Sequence, residues 1–130
     1  MPRRSEFVEH VVEMMRTFGA VVSRPMFGGW GLYHEGVFFA LVHGDTLYLK
    51  ADDGNAPDFE AAGLEAFVFE SRNSGETILT SYRRAPEEAL ESPDVMAHWA
   101  RGALGAALRK EQARRTRGRR PQRKPPEGGV

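Results

Sequence analysis

The sequence predicts an α+β domain of two layers: an antiparallel five-stranded sheet with helices on one face, in the order α-β-β-β-α-β-β-α. Three observations carry this. Near the N-terminus apolar residues recur at three- and four-residue steps, the period of a helix. From Val21 to Lys50 that period is lost, and three apolar segments are separated by short glycine-containing stretches, as in consecutive hairpins. Helical periodicity then returns twice, around residues 58–62 and from Ser92 onward. Hairpin strands interleaved with a few helices bury their apolar faces most simply as one sheet carrying helices on one side.

The first helix is expected over residues 5–18. Phe7, Val8, Val11, Val12, Met15 and Phe18 form its stripe, Ser5 is placed to cap it, and Gly19 stands where a left-handed C-terminal residue is wanted. His34-Glu35-Gly36 and His43-Gly44-Asp45 are read as three-residue hairpin loops. The segment Val37–Val42 is almost continuously apolar, which predicts a central strand covered substantially on both faces. Strict alternation would put Phe38, Ala40 and Val42 on one face and Phe39 and Leu41 on the other. Leu47-Tyr48-Leu49-Lys50 alternates as a strand with one wetter face. Pro57 opens a short helix that Gly63 stops. Two strands follow, near 66–70 and 77–83, joined across Asn73-Ser74-Gly75. Ala85-Pro86-Glu87-Glu88 predicts a helical turn. Ser92-Pro93-Asp94 then opens the last helix, with Met96, Trp99, Ala100, Ala103, Leu104, Ala107 and Leu108 as its stripe. Gly102 and Gly105 weaken that helix unless a neighbour needs the space.

The net charge of zero hides an asymmetry. Of the 18 Lys/Arg and 18 Asp/Glu, nine basic and two acidic residues lie from Arg109 onward, which leaves an acidic body of 1–108 and a basic tail of 109–130. The tail holds Arg109, Lys110, Arg114, Arg115, Arg117, Arg119, Arg120, Arg123 and Lys124. Its first part is expected to prolong the last helix and the Pro/Gly-rich remainder to be disordered. Such a tail suits non-specific binding of nucleic acid through phosphates. It has no Phe, Tyr or Trp to stack on bases, so base contact is expected to be minimal.

A search for chemistry returns little. With no cysteine, thiol catalysis and cysteine zinc sites are out. Gly28-Gly29-Trp30-Gly31 contains Gly-x-Gly, but position 34 is His and a strand follows, so no helix N-terminus is offered to a phosphate. The glycines read instead as architectural, permitting a bulge or a close backbone approach. His10, His34, His43 and His98 are scattered, with no His-x-x-x-His pair. Asp52-Asp53 reads as a solvated turn. No catalytic residue, metal site or cofactor is predicted, and the chain is expected not to be an enzyme.

The segment Met26-Phe27-Gly28-Gly29-Trp30-Gly31-Leu32-Tyr33, with Arg24 before it, resembles the signature of the TfoX/Sxy family N-terminal domain. The likeness continues through Gly36–Leu41, Leu47–Lys50 with Asp52-Asp53, Phe59–Gly63, Ser81-Tyr82-Arg83 with Pro86-Glu87, and Trp99-Ala100. These pieces fall in order over roughly residues 5–108, and their order and spacing make the match specific. The resemblance implies an α+β sheet domain laid out like type III secretion chaperones, with Arg24, Met26, Phe27, Gly28, Gly29, Gly31 and Tyr33 as a structural motif. It also implies regulation rather than catalysis, since the family is known for positive regulators of bacterial natural competence that act with the cyclic-AMP receptor protein at promoters. The family's second, helical domain is expected to be absent, with the Arg-rich tail in its place.

The reading that follows is a cytoplasmic, non-enzymatic regulatory or adaptor protein. It would bind a protein partner, such as transcription machinery or a cyclic-AMP receptor-type regulator, and nucleic acid through its tail, without a membrane. The alternative is a chaperone-like interaction module whose tail only solubilises. An apolar sheet face turned away from the helices would in either case favour a homodimer.

Overall fold

The fold follows from where each segment can hide its apolar side chains. The structure, a computed structural model, describes residues 6–26, 28–70 and 77–119. The expected cap at Ser5, Phe27 of the glycine motif, the turn Asn73-Ser74-Gly75, and Arg120, Arg123 and Lys124 lie outside the described residues. Helix α1 (Glu6–Met14) runs on into a 3-10 turn over Met15–Thr17. Val8, Val11 and Met15 of its stripe are fully buried, as their spacing requires. Gly19 is not left-handed. A Cβ there would lie 2.7 Å from Cε1 of His34, so the small residue makes room for that ring.

One antiparallel sheet of six strands follows: β1 (Val22–Met26), β2 (Gly29–His34), β3 (Val37–His43), β4 (Thr46–Lys50), β5 (Ala66–Glu70) and β6 (Thr77–Arg84), in the spatial order β1-β2-β3-β4-β6-β5. The expected count of five is corrected because the apolar segment after Val21 folds back on itself. Met26 pairs with Gly29, which leaves a two-residue connection with Gly28 at φ +77°. The other two connections are also tighter than expected. His34 pairs with Val37, so only Glu35 (φ 50°) and Gly36 (φ 83°) turn, the double positive φ of a type I′ hairpin. His43 pairs with Thr46 across Gly44-Asp45.

A register shift between β2 and β3 decides the two faces of the sheet. Leu32 pairs with Ala40 and Tyr33 with Phe38, leaving Phe39 as an extra residue. The bulge overturns strict alternation. Phe39, Ala40 and Val42 are all buried in the core with Leu32, Leu47 and Leu49, while Phe38 and Leu41 are left on the opposite, half-buried face. The central strand is therefore well covered on one side only.

The helical layer lies on that one side. Helix α2 (Ala56–Ala61) buries Phe59, whose ring meets Trp99 edge-on at 5.1 Å. A 3-10 turn at Glu87–Leu90 leads to helix α3 (Pro93–Arg119), whose first turn is capped by Ser92 Oγ accepting from the Val95 amide at 3.3 Å. Met96, Ala100, Ala103 and Ala107 form its buried stripe and let the helix cross β3 and β4 closely. Burial of each large core side chain, Phe39 or Leu49 for instance, contributes about 1.5–3 kcal/mol. No break separates body from tail at residue 108; α3 runs through it to Arg119.

Candidate functional site

The sheet face turned away from the helices carries the sequence motif. Cross-strand pairing places Arg24 and Met26 of β1, Gly31 and Tyr33 of β2, and Phe38 and Leu41 of β3 on it, followed by Tyr48 of β4 and Thr80 and Tyr82 of β6. Phe67 of β5 joins them where a second register shift, between Ala66 and Val68, turns its ring onto Tyr48 at 4.6 Å. Gly31 keeps this face flat. A Cβ there would sit 3.0 Å from Met26 Cε and 3.1 Å from the Phe38 ring, both of which fold across it.

The aromatic side chains form a row. Tyr33 and Phe38 have ring centroids 5.2 Å apart, and Phe38 and Tyr82 lie 5.5 Å apart. A cation closes each end: the Arg24 guanidinium lies 5.4 Å from the Tyr33 centroid, and Lys50 Nζ lies 5.0 Å from that of Tyr82. Beside the row, Met26, Phe38, Leu41, His43, Phe67 and Tyr82 wall an apolar cavity of about 170 Å³. Among the described residues, none from a helix lines it.

At the Lys50 end the face meets α3. A groove of about 480 Å³ runs from Phe38, Thr80 and Tyr82 to Lys50, Lys110, Glu111 and Arg114. Lys50 is only 5% exposed and donates to Ser81 Oγ. Burial, and next the like charge of Lys110, pull its ammonium down to about 8. Burial pushes the Tyr82 phenol above its ordinary range, with Tyr33 adding to the effect. Two ammonium groups thus face one groove with Glu111 and Asp52 as the nearby acids.

The predicted cations of the tail divide by role. Arg109 is committed to the fold: its Nε donates to Asp52 Oδ2 at 2.6 Å and its Nη2 to Oδ1 at 2.8 Å. That forked bond holds the Asp52 carboxyl below its ordinary range. The expectation of Asp52 as a solvated turn residue missed this partner, which lies 57 positions away. Beside it, buried Asn55 donates to the carbonyls of Lys50 and Gly102, each at 3.1 Å, tying the end of β4 to α3. Lys110 borders the groove. Arg114 and Arg115 are exposed and reach Glu111 only at 3.4 and 3.5 Å. Arg117 and Arg119 follow on the same helix.

His10 and His34 serve the fold, whereas His43 lines the apolar cavity. His10 Nε2 donates to the Leu90 carbonyl and His34 Nδ1 to that of Ala20, both at 2.8 Å. Among the described residues no cluster of His, Asp and Glu could hold a metal ion, and no helix is long and apolar enough to cross a membrane. Sequence reasoning missed Lys50, Phe67 and Tyr82 as site residues. Lys50 and Tyr82 stand within the family likeness and Phe67 in an expected strand, but neither signal says which residues meet across the sheet.

No curated protein matches the chain. The family model of the TfoX N-terminal domain matches residues 13–107, from the end of α1 to the last buried turn of α3. The six-stranded sheet, its glycine-rich first hairpin and the helix across it are therefore those of a family member: the chain belongs to the TfoX N-terminal domain family.

Proposed function

We propose that the protein is a non-enzymatic regulatory adaptor of the cytoplasm that works by binding. It brings a protein partner, such as a cyclic-AMP receptor-type regulator or other transcription machinery, together with nucleic acid. Family membership supports the regulatory class, since the family is tied to competence control. The observation that carries the nucleic-acid half is α3 itself. It is pinned to the body by Arg109 and Asn55, then continues as a helix presenting Lys110, Arg114 and Arg115 beyond the buried stripe. The cations of that helix suit phosphate contacts, against which the net negative charge of the body works.

The test is titration of the full chain and of the Arg114→Gln/Arg115→Gln/Arg117→Gln variant against unrelated duplexes at several salt concentrations. With about five phosphates engaged, log K falls with log salt at a slope of roughly −4 to −5, and the variant lowers that slope by about 3. Equal affinity of the two proteins removes the nucleic-acid half. Capture of a partner from the native cell, with and without nuclease, separates direct protein contact from contact through nucleic acid. A second reading, a chaperone-like interaction module that self-associates, is favoured by the uncovered apolar face around Phe38 and Leu41. Light scattering showing a dimer, with no nucleic acid bound, would select it.

A further inference from the structure

We infer that the aromatic face of the sheet is a binding site for single-stranded nucleic acid, which inserts a base beside Phe38 and Tyr82 and lays phosphates on Arg24 at one end of the row and on the exposed Lys110 and Arg114 at the other. This rests on the nucleic-acid half of the proposed function and deepens it. There the tail supplied only charge; here the fold supplies the rings that the tail lacks.

Five observations converge. The cavity beside the row, about 170 Å³, is of the order that holds one six-membered ring. Three of the residues that line it, Phe38, Tyr82 and Phe67, are aromatic, so a planar group that enters meets faces or edges of rings. It is open to solvent along one side, so a base buries its ring while its polar edge stays hydrated, avoiding the cost of an unpaired polar group. The charged side chains bordering the row are mainly cationic: Arg24 at one end and Lys50, Lys110 and Arg114 at the other, with Glu111 and Asp52 as the nearby acids. From the Arg24 guanidinium to the Tyr82 ring, successive separations of 5.4, 5.2 and 5.5 Å give the row room for a short run of nucleotides rather than one.

This arrangement discriminates between strands. A duplex hides its bases in the stack and offers only phosphates, which α3 alone can meet. A single strand offers π-faces as well, and stacking on aromatic side chains is tolerant of sequence. An acidic peptide with an apolar anchor would satisfy the same charges, but it makes no use of a row of three rings capped by cations at both ends. The inferred occupant is therefore nucleic acid.

The experiment uses the full chain and two probes, a 20-nucleotide oligothymidine and an unrelated 20-base-pair duplex, read by fluorescence anisotropy at matched salt. The single strand is expected to bind more tightly. Phe38→Leu/Tyr82→Leu keeps the apolar bulk but removes two rings, and it should cost the oligothymidine roughly tenfold or more while leaving the duplex within about twofold. Phe38→Trp keeps a ring; it should preserve binding, and the oligothymidine should quench its fluorescence. This second variant guards against a loss caused by misfolding. If both probes bind equally and the ring variants are silent, the inference falls while the proposed nucleic-acid function stands. If neither probe binds the full chain, both fall together. A dimer that Phe38→Leu/Tyr82→Leu dissociates, without any single-strand preference, assigns the face to a second copy and overturns the inference.

Discussion

Single residues show how differently alike glycines are used in this fold. Gly28 has φ +77° with open space around it, so Gly28→Ala should cost about 1–2 kcal/mol through backbone conformation alone. At Gly29 a Cβ would lie 2.1 Å from the Val42 carbonyl oxygen, a backbone atom that cannot step aside. Gly29→Ala should therefore be the most damaging, at about 2–3 kcal/mol. At Gly31 the neighbours are the flexible tip of Met26 and the edge of Phe38, and the loss should stay below about 1 kcal/mol. Urea unfolding of the three variants checks the order 29, 28, 31. Glu35 is the opposite case, a bulky residue at φ 50° in the first position of a type I′ turn. Glu35→Asn should raise stability by about 0.5–1 kcal/mol, because Asn-Gly suits that turn. The exposed Glu35 contact to His34, at 3.9 Å, has little to lose.

At the scale of elements, α3 is the organising piece, and its attachment can be dissected. A Cβ at Gly102 would lie 3.9 Å from Asn55 Nδ2, an ordinary contact, and one at Gly105 would lie 3.4 Å from Arg109 Nη1. Neither glycine is demanded by space, so Gly102→Ala should stabilise the helix by about 0.5–1 kcal/mol, measured as a shift of the unfolding midpoint at constant m. The Arg109 fork is different. Its guanidinium is 55% exposed, so solvent screening limits Arg109→Ala to a loss of about 0.5–1 kcal/mol despite the short bonds. Asp52→Ala should cost more, about 1–2 kcal/mol. It also removes the acceptor of the Gly54 and Asn55 amides, at 2.9 and 3.2 Å. Raising salt to 1 M should shrink the Arg109 effect and spare most of the Asp52 effect.

The whole molecule joins an acidic body to a cationic end, and Lys50 sits where the two meet. Around its ammonium stand Lys110 from α3, Asp52 from the following loop, and Ser81 and Tyr82 from β6. Its folded-state value of about 8 lies below the ordinary 10.5. Between those values the unfolded chain holds a proton that the folded one has released, so stability should rise as pH climbs from about 8 to about 10.5. Lys50→Met should flatten that rise in chemical unfolding measured across the range. Binding of an anion has the opposite sign. As pH passes 8 the groove loses a positive charge, so oligothymidine affinity should fall between pH 7 and 9 in the native protein and vary less in Lys50→Met.

The residue pattern alone determined the class of fold, the alternation of its helical and strand regions, and most of the buried stripes of α1 and α3, because these depend on local periodicity and on side chains that cap or turn the chain next to themselves. What it left open was decided by long-range pairing. Six strands rather than five arise because Met26 meets Gly29 across two residues. The bulge at Phe39 arises only where β3 registers against β2, and it sends Phe39 inward and Leu41 outward against the period of two. Asp52 and Arg109 are partners across 57 residues of chain, and Tyr33, Phe38 and Tyr82 become one row only when β2, β3 and β6 are laid side by side. Periodicity says which residues share a face of their own strand; which faces of different strands coincide is a property of the assembled sheet, and the candidate site is made of those coincidences.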